Sequence, residues 1–173
     1  MDLSTTTDIS SCAVVFEPDP DGRVNVLSFN WVPGENILKR ARRDNVPYDA
    51  WARDGYITAT DGNVIDYDRI AHFIVYNLKE MFPNLCLVGY DPWNATQWAI
   101  GMESEGIPVY EVRQGYKTLS PACKEFERLV VGKKLKHNGN PVLMWAVDNL
   151  VVTQDPAGNI KPAKDKATER IDP

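Results

Sequence analysis

Three aspartates spread over the whole length of this chain constrain its fold more than any other feature. They are Asp2 in Asp2-Leu3-Ser4-Thr5-Thr6-Thr7-Asp8, Asp91 in Leu87-Val88-Gly89-Tyr90-Asp91-Pro92-Trp93, and Asp172 in Arg170-Ile171-Asp172. Only a fold that gathers beginning, middle and end can make them one site. Asp91 closes an apolar run from Leu85 to Tyr90. Such a run predicts a buried strand that delivers a carboxylate to the carboxyl edge of a sheet, where α/β proteins place their sites. Carboxylates converging there repel one another unless protonated or neutralised, and oxygen-seeking divalent cations neutralise them best. The plainer roles are a strand-end cap for Asp91 and a turn residue for Asp8.

With 173 residues, 43% of them hydrophobic, the chain can bury one ordinary core, so residues 1–173 are expected to form a single domain. No apolar run reaches membrane-spanning length and no basic-then-apolar leader opens the chain, which predicts a cytoplasmic protein with no membrane partner. Cys12, Cys86 and Cys123 are odd in number, widely spaced and mostly in apolar surroundings. Buried thiols in a reducing compartment account for them better than disulfides or zinc ligands. The net charge of −5 is unevenly spread. Residues 1–110 are acidic, whereas residues 111–173 carry a basic excess that includes Lys133, Lys134, Lys136, Lys161, Lys164 and Lys166. These lysines suit phosphate contacts or a solvated surface equally well.

Along the chain, Cys12–Phe16 and Arg23–Phe29 flank the turn residues Pro18-Asp19-Pro20-Asp21-Gly22, which predicts an antiparallel hairpin over residues 10–30. Pro33 to Asp44 has helical spacing with a basic run, and a second short helix starts around Val46-Pro47-Tyr48. Tyr56–Thr60 predicts a third strand. Asp66 can cap a helix from Tyr67 to Met81, with Ile70, Phe73, Ile74, Asn77 and Leu78 on one stripe. His72 on that helix is expected to be an ordinary surface or structural histidine.

After the Asp91 strand the spacing predicts a helix over Ala95–Glu105 ending at Gly106, and an edge strand over Ile107–Val112. A long amphipathic helix then runs from Ser120-Pro121 to Val131, a helix over Val142–Asn149 follows, and a hairpin turns at Gln154-Asp155-Pro156-Ala157. Strands and helices in this alternation predict an α/β layer fold with a mixed sheet. The chain holds no internal repeat, P-loop, zinc-ligand spacing or nucleophile elbow, so an ATPase motor is not encoded within it.

Several segments in this order resemble the nuclease domain of the large terminase subunit of tailed bacteriophages. They are the Asp2-to-Asp8 opening, Val46-Pro47-Tyr48 with Trp51, Gly89-Tyr90-Asp91-Pro92-Trp93, Leu135 to Pro141 with His137, Trp145 with Asn149, Lys161-Pro162, Lys164 and Ile171-Asp172. The resemblance covers nearly the whole chain. It implies a ribonuclease H-like three-layer fold, a central mixed sheet flanked by helices, here with a C-terminal β-hairpin. It also implies a domain that cuts concatemeric viral DNA into genome lengths, normally fused behind an ATPase domain.

Carried over residue by residue, the resemblance makes Asp2, Asp91 and Asp172 ligands of two Mg²⁺ or Mn²⁺ ions, with Asp8 an accessory acid. Such ions lower the pKa of an attacking water and stabilise the leaving 3′ oxygen in phosphodiester hydrolysis, so no histidine base is required. Lys161 and Lys164 become candidate contacts to double-stranded DNA. The implied partners are the small terminase subunit, the portal and an ATPase domain, in the cytoplasm of a bacterial host. The chain departs from the pattern at both ends. In the family the first aspartate ends a central strand, of which only Met1 precedes Asp2 here, and the third begins a helix, where only Pro173 follows Asp172. The expectation is a domain truncated at both ends, with fraying ligands and an exposed sheet edge. A catalytically weak packaging module that binds DNA, small terminase or portal is the alternative function. A Holliday-junction resolvase or another ribonuclease H-like nuclease is a third, which the terminase-like segments outside the acids count against.

Overall fold

The computed structural model describes residues 1–4, 9–35, 37–93 and 95–163; Asp8, Lys164, Lys166 and Asp172 lie outside them. The first hairpin forms because its turn is built from side-chain hydrogen bonds. The Asp19 carboxylate accepts from the main-chain nitrogens of Asp21 (3.0 Å) and Arg23 (2.8 Å), and Gly22 takes a left-handed conformation (φ 71°). The bond from Arg23, chief among these contacts, holds the Asp19 carboxyl below its ordinary value. Strands β1 (Ser10–Val15) and β2 (Val24–Pro33) pair antiparallel, with Ser10 opposite Trp31 and Val15 opposite Val26.

Alternation along the strands builds a core on each face of the sheet. Cys12, Val14 and Trp31 enter one core, while their neighbours Ile9 and Val32 enter another. Helices α1 (Ile37–Asp44) and α2 (Tyr48–Arg53) cover the second core, where Val46, fully buried Tyr48 and Ile57 pack. Strand β3 (Thr58–Thr60) adds parallel to β2. At that junction Gly34 is needed for its lack of a side chain, because a Cβ there would meet the Thr60 carbonyl oxygen at 2.9 Å.

Asp66 caps the next helix as expected, accepting from the nitrogens of Asp68 and Arg69. The helix begins as α3 (Tyr67–His72), widens into π-helical turns over Phe73–Leu78, and closes with α4 (Lys79–Met81). Ile70, Ile74 and Leu78 are fully buried, and Phe73 packs its ring against Phe29 and Trp31, 5.0 and 5.4 Å between centroids. Asn77 leaves the expected stripe and is exposed, because the burying face runs through every fourth residue here. His72 is exposed and stacks on Tyr76.

Strand β4 is shorter than the apolar run suggested. It spans Val88–Tyr90, while Cys86 and Leu87 are exposed (Leu87 51%) beside a groove of about 890 Å³ between β1 and residues 85–89. Of the three free thiols only Cys12 is buried, which pushes its pKa up; the reading of Cys86 as a buried thiol is therefore corrected. Helix α5 (Thr96–Ser104) ends before Gly106, whose φ of 74° suits the residue past a helix terminus. Strand β5 (Val109–Glu111) lies parallel to β4.

Helix α6 (Tyr116–Val131) starts four residues before the expected Ser120-Pro121. Gly115 precedes its first turn and exposed Pro121 is carried inside, where it forfeits one main-chain hydrogen bond without ending the helix. A short strand that the sequence reading did not anticipate, β6 (Leu135–Lys136), pairs parallel with Val24 and Asn25. Asn140 then caps α7 (Pro141–Asp148), accepting from Val142 and Leu143 nitrogens at 2.9 and 3.1 Å. The chain closes with the expected hairpin, β7 (Val152–Gln154) antiparallel to β8 (Ile160–Pro162).

Two residues join these pieces. Asp2 exchanges both main-chain hydrogen bonds with Ser11 at 2.9 Å. On its other side, the Met1 nitrogen donates to Gly89 O (2.7 Å) and Asp91 N donates to Met1 O (3.2 Å), the pattern of a parallel pair. Met1–Asp2 therefore occupies a central strand position, giving the order β5, β4, Met1–Asp2, β1, β2, β3. The result is one mixed sheet with helices on both faces, which accords with the expected ribonuclease H-like layers.

Because Ile74 has no exposed surface, Ile74→Ala is expected to lower stability by about 2–5 kcal/mol. Asn77→Ala, three residues along on the exposed side, should stay within about 0.5 kcal/mol. Urea unfolding of both variants checks the pair.

Candidate active site

The parallel register that places Met1 beside Tyr90 places Asp2 beside Asp91. Asp2 and Asp91 thus stand at the ends of neighbouring strands, whose backbones run about 4.8 Å apart. Both residues are half-buried. Asp91 is oriented by its own loop, since one carboxylate oxygen accepts from Trp93 N at 3.0 Å in an Asx turn. Asp172 and Asp8 lie outside the described residues, and among the described residues no group of three or more His, Cys, Asp or Glu is placed to hold a metal ion.

The donor chemistry of the pair suits a hard divalent cation. Two aspartates on one sheet edge offer oxygen donors alone, the set that Mg²⁺ and Mn²⁺ prefer over thiolate or imidazole. Tyr67, at the start of α3, flanks the pair by donating its hydroxyl to Ser4 O at 2.9 Å. Burial, and then the nearby Asp2 carboxylate, push the Tyr67 pKa up, so the phenol stays a protonated donor. Its sequence neighbourhood spoke only of helix capping.

The structure separates the basic cluster that the sequence grouped. Lys134 donates to Asp21 O, and Lys136 pairs with Asp19 at 3.8 Å. Both therefore sit at the hairpin-turn end of β2, away from the acids, which lie level with Ser11 and Asn30. His137 follows at that same far end and lines an apolar cleft between α6 and α7 with Phe126 and Leu143.

Lys161 is placed differently. The hydrogen bond from Val112 N to Tyr90 O carries β5 past the end of β4, and Gln114 lies two residues beyond on the same edge as Asp91. Lys161 reaches that point from β8, its Nζ 3.4 Å from Gln114 O and 5.3 Å from the centre of the Tyr116 ring. The hairpin is held against α6 by Ile160 N donating to the buried Ser120 hydroxyl (3.1 Å).

A mixed sheet carrying adjacent carboxylates at its carboxyl edge, with helices on both faces, defines the class of ribonuclease H-like domains. The family described as "Terminase large subunit, endonuclease domain" matches residues 1–173, and the chain belongs to it. Among its relatives is the large terminase subunit of Enterobacteria phage HK97, 34% identical over 99% of this chain and 34% of that protein. Protein YmfN of Escherichia coli is 26% identical over 99% of this chain and 39% of that protein. The crystal structure of the HK97 bacteriophage large terminase superposes with a TM-score of 0.84 at 34% identity, over 99% of this chain and 36% of that one. The chain thus spans about a third of the length of the curated relatives it matches.

The β7–β8 turn that presents Lys161 supplies a pH test. Hydrogen bonds from the Asn159 side chain and main chain hold the Asp155 carboxyl below its ordinary value of 3.8. A depressed carboxyl stabilises the fold above its unfolded pKa, and the contribution is lost as pH falls through the folded value. Asp155→Ala should therefore lower the Tm at pH 7, and the gap to the unsubstituted chain should close as melts are taken below pH 3.8.

Proposed function

We propose that the chain is a metal-dependent DNA endonuclease domain of a viral packaging terminase, hydrolysing phosphodiester bonds of concatemeric double-stranded DNA. The observation that carries this reading is the side-by-side placement of Asp2 and Asp91 on the carboxyl edge, within a chain of the terminase endonuclease family. Asp2, Asp91 and Asp172 are the proposed ligands, with Asp8 accessory; when bound, two Mg²⁺ or Mn²⁺ ions supply the positive charge that activates water and stabilises the leaving 3′ oxygen.

The protein's own part is placement. The main-chain ladder of Met1 fixes the spacing of Asp2 and Asp91, and the Asx turn at Trp93 fixes the orientation of the Asp91 carboxylate. Tyr67 keeps a protonated hydroxyl at the edge, anchored to Ser4. Lys161 puts a positive charge along the path of the DNA backbone, held by Gln114 and Tyr116, and Lys164 follows three residues later in sequence. An ATPase domain, the small terminase subunit and the portal are the proposed partners, in the cytoplasm of a bacterial host.

Plasmid cleavage with Mg²⁺, Mn²⁺ or EDTA tests the reading. Supercoiled DNA is expected to be nicked and linearised with either ion and left intact with EDTA. Asp91→Asn and Asp2→Asn should each reduce cutting by roughly 100-fold or more, the upper range for merely disturbing a ligand's support. Equal cutting by a folded Asp91→Asn chain sinks the assignment. Absence of cutting by the folded parent favours the non-catalytic packaging module.

A further inference from the structure

We propose that Trp93 contacts the DNA in this site, stacking its indole on a base beside the scissile phosphate; the inference rests on the nuclease reading above. Trp93 is 78% exposed, the most exposed large hydrophobic residue among those described. The other four tryptophans have packing partners. Trp31 lies against Phe73 and Trp98 against Tyr90, while Trp51 and Trp145 meet each other at 5.8 Å.

A loose loop does not explain the exposure, because the segment is tied on both sides of the ring. Trp93 N donates to the Asp91 carboxylate (3.0 Å), Pro92 restricts the preceding backbone, and Ala95 is fully buried with its nitrogen on Pro92 O (3.4 Å). The fold therefore holds a large apolar ring in water, two residues from a carboxylate that faces the proposed substrate.

The surroundings favour a nucleic-acid ligand over an apolar protein surface. Asp2, Asp91 and Gln114 share the edge with Trp93, and Lys161 adds positive charge beyond them, while Arg113 is paired with Glu111 at 3.6 Å. Within a paired duplex each base face is covered by its neighbours, so a strand with its phosphate at the acid pair offers a flat π-face beside it where a step is opened or the strand is unpaired. An indole can stack on any base, which suits a site that reads backbone geometry rather than sequence.

The test uses the Asp91→Asn chain as a binding-only background with Mg²⁺ present and a fluorescein-labelled duplex bearing a single-stranded overhang. Adding Trp93→Ala should weaken binding roughly tenfold, and Trp93→Phe should recover most of the loss. Acrylamide quenching gives an independent readout. Saturating DNA should shield the accessible indole of the background chain, and this shielding should vanish in Trp93→Phe. Unchanged affinity of Trp93→Ala overturns the proposal, as does an indole that stays quenchable under saturating DNA. If Trp93→Ala also melts at lower temperature, the shielding experiment alone decides. Plasmid cutting by the unsubstituted chain is scored separately, so failure here leaves the nuclease reading standing.

Discussion

The whole arrangement depends on the short ladder that Met1 and Asp2 make between β1 and β4. Without it the described residues form separate sheets, one built on the first hairpin and one on β4 and β5. Four main-chain hydrogen bonds, two to Ser11 and two to Gly89 and Asp91, turn them into one layer. Both cores meet this layer. Cys12 and Tyr90 flank the seam and enter the same hydrophobic cluster, together with Ile70, Ile74 and Met102 from the covering helices.

The same seam decides which chemistry is available. Asp2 belongs to one half of the sheet and Asp91 to the other, so their juxtaposition is a property of the joint rather than of either half. The loop after β4 then does two things with one hydrogen bond. Accepting from Trp93 N orients the Asp91 carboxylate, and it also fixes the backbone that holds the indole outward. Lys161 arrives by a separate route, through a hairpin pinned to α6 by the Ser120 hydroxyl.

Local chemistry was readable wherever the residues that decide a structure lie close together in sequence. The turn at Asp19 and Gly22, the Asp66 cap and the strand-to-loop switch at Asp91 all follow from neighbouring side chains. Positions fixed by distant partners were not readable. The apolar run from Leu85 suggested a strand twice as long as β4, because nothing local reveals that Leu87 borders an open groove. Helix α6 takes in Pro121 because the residues before it already have helical backbone, a choice that packing makes. The lysines of residues 133–136 and Lys161 look alike in sequence, yet β6 pairs with the start of β2 and carries the former to the opposite end. For the acids, local context singled out Asp2 and Asp91 and the family resemblance made them ligands, yet only the ladder shows them as neighbours.

The seam also has a kinetic meaning. The first hairpin closes a loop of eight residues, 16–23, whereas the bond from Met1 to Gly89 spans 88 positions. Closure entropy rises with loop length, so local pairings form cheaply and this long-range one is assembled against a larger entropic barrier. A chain that has made its hairpin and helices can still lack the acid pair. By that measure the carboxylates come together only after the local pairings, and a half-assembled domain carries no complete acid pair.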